Sequence, residues 1–144
     1  MIYQIMSRSE AKRESYSLKA RTIIISITDP NKDPVVFCKA PFSPLIAVCR
    51  VSFDDIDRKK NEEDILMSKE DAENIKRFVE RYADKAEQII VHCEAGQSRS
   101  AGIMAAIKEW LEGDKFSVWK DPKYTPNRHC YRMMMDAIGD KVAE

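Results

Sequence analysis

The sequence predicts an α/β fold: a single domain with a mostly parallel central sheet flanked by helices. Three observations point there. Short β-branched runs alternate with stretches of helical periodicity. One run, Ile89-Ile90-Val91-His92, is apolar until its histidine, as a central parallel strand covered on both faces should be. That run leads through a short loop into a second helical pattern, which places a strand–loop–helix unit at the carboxyl end of the sheet.

The elements follow in order. Met1-Ile2-Tyr3-Gln4-Ile5-Met6 is too short and uncharged for a secretion signal. Thr22-Ile23-Ile24-Ile25-Ser26-Ile27 is a β-branched strand closed by Asp29-Pro30. Val35-Val36-Phe37-Cys38 reads as a short strand stopped by Pro41, and Leu45 to Phe53 as a longer one. Ser68 is placed to cap a helix, with Asp71 three residues on. Ala72, Ile75, Val79, Tyr82 and Ala86 then recur at helical spacing and define one buried face. Behind the loop, Ile103, Ile107, Trp110 and Leu111 make the inner face of a helix that Gly113 ends. Asp121-Pro122 reads as a turn. Asn127 is placed to cap a last helix with Tyr131, Met134, Met135 and Ile138 inward. The Met133-Met134-Met135 run is read as core filler. No repeat or linker divides the chain, so residues 1–144 read as one domain.

Composition excludes several classes of function. Lys plus Arg and Asp plus Glu are 24 each, so nothing suggests a broad nucleic-acid surface or a polybasic membrane patch. No apolar run approaches the ~18 residues of a spanning helix. The cysteines Cys38, Cys49, Cys93 and Cys130 lack paired metal spacing, and no metal or other cofactor is expected. A reactive thiol implies a reducing cytoplasm; the other three cysteines read as small buried hydrophobes.

The chemistry concentrates in Val91-His92-Cys93-Glu94-Ala95-Gly96-Gln97-Ser98-Arg99-Ser100. Five residues separate Cys93 from Arg99, enough for the backbone to curl into a cup. The N–H groups of Glu94, Ala95, Gly96, Gln97, Ser98 and Arg99 can then face phosphate oxygens. Gly96 frees one position from Cβ constraints. The dipole of the following helix and the Arg99 charge favour the thiolate, which is the nucleophilic form. Arg99 can bind two oxygens through its fork. Ser100 can hydrogen-bond the sulfur and support it as a leaving group, while His92 braces the loop. A phosphate-ester hydrolase is the reading these residues favour.

His92-Cys93-x-x-Gly96-x-x-Arg99-Ser100 resembles the signature of the protein tyrosine phosphatase superfamily. The form His-Cys-Glu-Ala-Gly-x-Ser-Arg-Ser is most similar to small dual-specificity-type phosphatases. Ser52-Phe53-Asp54-Asp55-Ile56 and Pro126-Asn127 are similar to compact prokaryotic or phage-type members. The resemblance implies a two-step reaction through a cysteinyl-phosphate, with a carboxylic acid protonating the leaving oxygen and then activating water. It implies that this acid lies upstream of Cys93, on a loop after a strand. Glu94, the loop's only carboxylate, would point outward. The candidates are therefore Asp54, Asp55, Asp57 and Asp64, with Asp55 first and Asp54 as its alternative. Asp121-Pro122 is similar to the late acid motif of low-molecular-weight phosphatases, but those place their cysteine near the N-terminus, and Cys93 is far from it.

The expected partner is a phosphorylated protein or small phosphomonoester. A chain this short has little room for pocket-deepening loops, so phosphotyrosine, phosphoserine and phosphothreonine are all admissible. RNA 5′-phosphates and phosphoinositides rank lower, because Glu94, Ala95, Gln97 and Ser98 add no cation around the cup. A phosphate-binding module without turnover, a sulfur carrier and an arsenate reductase are the rival classes. No nucleic acid or membrane partner is expected. The sequence leaves the oligomeric state open, with a monomer the default.

Overall fold

Seven consecutive buried residues, Thr22–Thr28, form the strand around which the fold is arranged. Their β-branched side chains suit a pleated surface covered on both faces. The computed structural model describes the backbone of residues 1–143 and the side chains of residues 1–139. In chain order the elements are β1 (Ile2–Met6), α1 (Arg8–Glu14), β2 (Thr22–Thr28), β3 (Leu45–Ser52), α2 (Lys69–Tyr82), β4 (Gln88–His92), α3 (Arg99–Glu112), α4 (Ser117–Lys120) and α5 (Arg128–Ala143). The four strands form one sheet in the order β1-β4-β2-β3. Every pairing is parallel, and Ile25 of β2 stands opposite Val91 on one side and Cys49 on the other.

The two-residue period of β2 and β4 divides their side chains between two layers. Ile23, Ile25, Ile27, Ile89 and Val91 face the helices, against Ile75 and Val79 of α2, Ile103 and Ile107 of α3, and Met134 of α5. Ile24 and Ile90 face the other way, onto Ala11 of α1, Val35 and Phe37. Each fully buried side chain of this size contributes about 1.5–3 kcal/mol relative to exposure.

The second face explains why Val35–Cys38 is not the strand its pattern predicts. Val35 and Phe37 are buried, and Val36 between them is exposed, as alternation requires. The segment nevertheless pairs with no strand among the described residues. The Cys38 N–H donates instead to Ser15 Oγ at 3.0 Å. The stretch lies over the sheet as a lid of two side chains, and Pro34 and Pro41 at its ends disfavour a ladder.

The N-terminal elements carry a signal that periodicity missed. Ser7 accepts from the Glu10 N–H at 3.2 Å, and Glu10 accepts from the Ser7 N–H at 2.9 Å, a reciprocal capping box that starts α1. The helix is only seven residues long and buries Ala11 alone, so it has no apolar stripe to detect. The Ser68–Asp71 box at the start of α2 forms as expected. Ala86 falls outside that helix, because the chain tightens into a 3-10 turn over Ala83–Lys85.

In α3, Arg99 through Ile107 are all buried, so this helix is enclosed rather than amphipathic. Leu111 is exposed, contrary to its expected inward position, because the last turn has run past the covering layers. Gly113 closes the helix at φ 68°. Asn127 caps α5 by accepting the Cys130 N–H at 2.9 Å. Met134 is fully buried, and Met133 and Met135 pack partly buried beside the core.

Gly102 is the point at which α3 meets the entry to α5. A Cβ there would lie 2.4 Å from the Asn127 carbonyl oxygen. Gly102→Ala is expected to lower unfolding stability by about 1–3 kcal/mol, the usual range for overpacking. Urea unfolding checks this. An unchanged midpoint would mean that the α3–α5 contact yields freely.

Candidate active site

Parallel strands bring their carboxyl ends to one edge, and each end supplies part of the site. The chain leaves β4 at His92, turns through Cys93 to Ser98 and enters α3 at Arg99. From the end of β1, the Arg8 N–H donates to the Glu94 carbonyl at 3.1 Å. From the far side, the Thr125 and Asn127 N–H groups donate to the Gln97 and Ser98 carbonyls, both at 2.9 Å. Gly96, at φ 71°, fits the narrowest point. A Cβ there would stand 2.5 Å from the Met6 carbonyl carbon and the Ser7 nitrogen.

These anchors turn loop carbonyls outward and leave amides for the interior. Cys93 is buried at the centre. Its Sγ lies 3.1 Å from Ser100 Oγ and accepts the Gly96 N–H at 3.3 Å. Ser98 occupies the cap position of α3 but makes no side-chain capping bond. The first-turn N–H groups of α3 therefore keep their capacity for an anion, and the helix dipole adds to it.

Arg99 is 4% exposed. Its Nη1 donates to the Phe53 carbonyl at 2.8 Å and pairs with Asp29 Oδ1 at 2.7 Å. Its Nε is buried and has no partner among the described residues. A buried donor without an acceptor is costly, and a tetrahedral oxyanion in the cup is the partner such a guanidinium edge fits. Glu94, on the rim, pairs with Lys32 at 3.1 Å, and Lys32 stands 3.7 Å from Asp29 Oδ2.

His92 is fully buried beneath the loop, with Phe37 edge-on to its ring at 5.8 Å. Burial pushes its imidazole down to about 4, an effect the Cys93 carbonyl partly opposes and Arg8 and Arg50 reinforce. The ring is therefore neutral at pH 7. Its Nδ1–H donates to the Cys93 carbonyl at 3.1 Å, which leaves Nε2 to accept from Ser26 Oγ at 2.6 Å. The brace expected of His92 thus reaches back into β2.

The four upstream carboxylates separate sharply. Asp55 Oδ1 accepts from Ser98 Oγ at 2.7 Å and from Asn127 Nδ2 at 3.0 Å, so this carboxylate rests on the loop. Asp54 turns away: its Oδ2 accepts the Ile65 N–H at 2.8 Å, closing the loop between residues 54 and 65. Asp64 accepts from the Lys60 and Asn61 N–H groups, which hold its carboxyl below the usual range and in the ionised form. Asp57 lines the cavity beside the loop, which measures about 350 Å³ and includes Asp55, Ile56, Ser98, Pro126 and Arg128 in its walls. Asp121 accepts from the Lys123 N–H at 2.9 Å and forms the turn expected of it.

No protein-family model matches this sequence, and none of the curated proteins matches it. Solved structures do match. Human DUSP28 aligns over 98% of this chain and 94% of its own, with 16% identity and a TM-score of 0.65. The chain has the dual-specificity phosphatase fold. The human tyrosine phosphatase-like serine/threonine/tyrosine-interacting protein aligns over 96% of this chain and 91% of its own, with 18% identity and a TM-score of 0.61. PTPMT1 in complex with PI(5)P aligns over 99% and 93%, with 13% identity and a TM-score of 0.61. In this dual-specificity phosphatase fold the carboxyl edge of the sheet carries Cys93, Arg99 and Ser100 together, with Asp55 adjoining through Ser98.

Three groups at this edge were not singled out from sequence as site residues: Asp29, Ser26 and the carboxamide of Asn127. Asp29 offered one clue, a carboxylate immediately after a strand, where α/β sheets place their chemistry. The sequence offers Asn127 as a helix cap and as part of the Pro126-Asn127 resemblance, with no role for its carboxamide. Asn127 caps α5 with Oδ1 and holds Asp55 and the Ile56 carbonyl with Nδ2, each at 3.0 Å.

The neutral His92 makes stability depend on pH. Its folded value lies below the unfolded one, near 6.5, so its contribution is complete above pH 6.5 and is lost as pH falls towards 4. The loss is on the order of 3 kcal/mol. His92→Asn keeps a donor for the Cys93 carbonyl and removes the titration, so its stability should fall less steeply across that window. Equal slopes for both proteins in urea unfolding at stepped pH would count against a neutral buried His92.

Proposed function

We propose that this chain hydrolyses phosphate monoesters through a cysteinyl-phosphate, acting on phosphotyrosine and also on phosphoserine and phosphothreonine in proteins. One observation carries the reading. A buried cysteine sulfur stands before a helix N-terminus with the Gly96 N–H and Ser100 hydroxyl upon it, and the buried Arg99 opens that helix.

In the first step Cys93 Sγ attacks phosphorus, a P–S bond forms and the P–O bond to the leaving group breaks. Asp55 delivers its proton to that oxygen from the exposed rim. The loop amides and Arg99 hold the equatorial oxygens, where charge builds, so no metal step is required. In the second step the Asp55 carboxylate takes a proton from water as the water attacks phosphorus. The S–P bond breaks, and Ser100 donates to the sulfur that leaves. Asn127 and Ser98 donate to Oδ1 of Asp55, so in this reading Oδ2 is the oxygen that gives and takes the proton.

Protein substrates rank first on charge. The loop adds no cation beyond Arg99, Lys32 is engaged by Glu94 and Asp29, and in the adjoining cavity Lys60 and Arg128 are offset by Asp55 and Asp57. PTPMT1, whose solved complex holds PI(5)P, has the same fold, so a phosphoinositide belongs in the test beside an RNA 5′-phosphate. Reductase chemistry needs a second ready thiol. Burial pushes Cys49 up to about 11 and raises Cys130 as well, so both stay protonated. The four free cysteines suit a reducing compartment, and the cytoplasm is the assignment we make. No helix among the described residues is long and apolar enough to cross a membrane.

The test is turnover of para-nitrophenyl phosphate, phosphopeptides, a phosphoinositide and a 5′-phosphorylated RNA. Cys93→Ser should abolish turnover while phosphate binding survives, and acid quench of the native protein should leave phosphate on Cys93. Binding of phosphopeptide without turnover by the native chain would make it a recognition module instead.

Asp55→Asn should lower kcat by about 10²–10⁴-fold on poor leaving groups such as alkyl phosphates. The loss should shrink for para-nitrophenol, which leaves with little help. Asp54→Asn should not reproduce this leaving-group dependence, since its carboxylate holds Ile65. If it does, the acid is one residue earlier.

A further inference from the structure

We propose that Asp29 is the positioning residue for the Arg99 guanidinium, setting the plane in which its fork meets phosphate. The inference deepens the reading of the loop as a phosphatase site and rests on it. Asp29 follows the last residue of β2, and Phe53 follows the last residue of β3, so two neighbouring strands end against the same side chain.

Both acceptors converge on one nitrogen. Arg99 Nη1 has two hydrogens, and it meets Asp29 Oδ1 at 2.7 Å and the Phe53 carbonyl at 2.8 Å. The hydrogens of a guanidinium lie in its plane, so two acceptors on Nη1 fix both the tilt and the roll of the group. One acceptor alone would leave the group free to swing about a single bond. With Nη1 occupied, the opposite edge, Nε with Nη2, keeps its parallel N–H pair for a side-on grip on two phosphate oxygens. Nε is the buried atom that has no partner among the described residues.

Asp29 also answers the electrostatic problem of a buried guanidinium. A guanidinium that is 4% exposed needs a counter-charge before substrate arrives. Asp29 supplies it from the side remote from the fork, and Lys32 steadies the second oxygen at 3.7 Å. Lys32 in turn pairs with Glu94 of the loop, so the carboxylate is tethered to the cup it serves. Asp29 does not touch phosphate in this arrangement; it acts through Arg99.

Three variants separate orientation from charge and from bulk stability. Asp29→Ala removes the acceptor and should lower kcat by about 10²-fold, the cost of a small misplacement at a reacting centre. KM should change little, since the loop amides still hold the ground state. Asp29→Glu keeps the charge but carries the acceptor one methylene further, and should lose kcat similarly. Asp29→Asn keeps the acceptor in place and should recover most of the loss. Calorimetric affinity for vanadate, whose bound form resembles the transition state, should fall with kcat across the series, while affinity for sulfate stays level. In an Arg99→Lys background, where no fork exists, Asp29→Ala should add no further loss.

Native kcat and vanadate affinity in Asp29→Ala and Asp29→Glu would overturn the proposal. So would an equal loss in the Arg99→Lys background, which would mark Asp29 as merely structural. Absence of turnover by the native chain would sink the phosphatase reading instead. The vanadate and sulfate affinities would still report whether Asp29 orients Arg99.

Discussion

Four strands that run the same way must release the chain at the same edge of the sheet, and the site is a consequence of that constraint. Each exit makes a different contribution: a backbone donor and a tight wall after β1, a carboxylate after β2, a carbonyl after β3 and the loop itself after β4. An antiparallel sheet of the same size would divide these exits between opposite edges. The helices complete the arrangement, because a parallel connection must cross over the sheet and thereby covers its faces.

Burial at this edge is handled by two opposite devices. The guanidinium of Arg99 stays charged and is held by a carboxylate and a carbonyl. The imidazole of His92 loses its charge and is held by a carbonyl and a hydroxyl. The contrast follows from intrinsic acidity. Arginine keeps its proton under any burial, so it must be paired, whereas histidine can shed its proton and fit a neutral niche. The layer that lines the cup is thereby cationic, and the layer beneath it is neutral and stiff.

What the sequence revealed was local. The fold class, β2 to β4, both expected helix caps and the loop all rest on spacings of a few residues, which periodicity and capping chemistry report directly. Val35–Cys38 shows the limit: its alternation is real, but alternation says only that side chains point both ways, not that a ladder exists. Asp54 and Asp55 show a related limit. Neighbours leaving a strand point to opposite sides, so one secures Ile65 and the other meets Ser98, and composition cannot say which. Asp29 and the Asn127 carboxamide act across long separations, 72 residues in the case of Asn127 and Asp55, and no local pattern encodes such a meeting.

The late position of Asn127 has a consequence for how the protein comes into being on the ribosome. The Gln97 and Ser98 carbonyls depend on the N–H groups of Thr125 and Asn127, and Asp55 depends on the Asn127 side chain. The strands and the cysteine emerge first, but the cup has no far wall until the segment before α5 has left the exit tunnel. A nascent chain therefore holds Cys93 without its far wall from the synthesis of residue 93 until residues 125 and 127 are in place. The closed cup is the last feature this fold acquires.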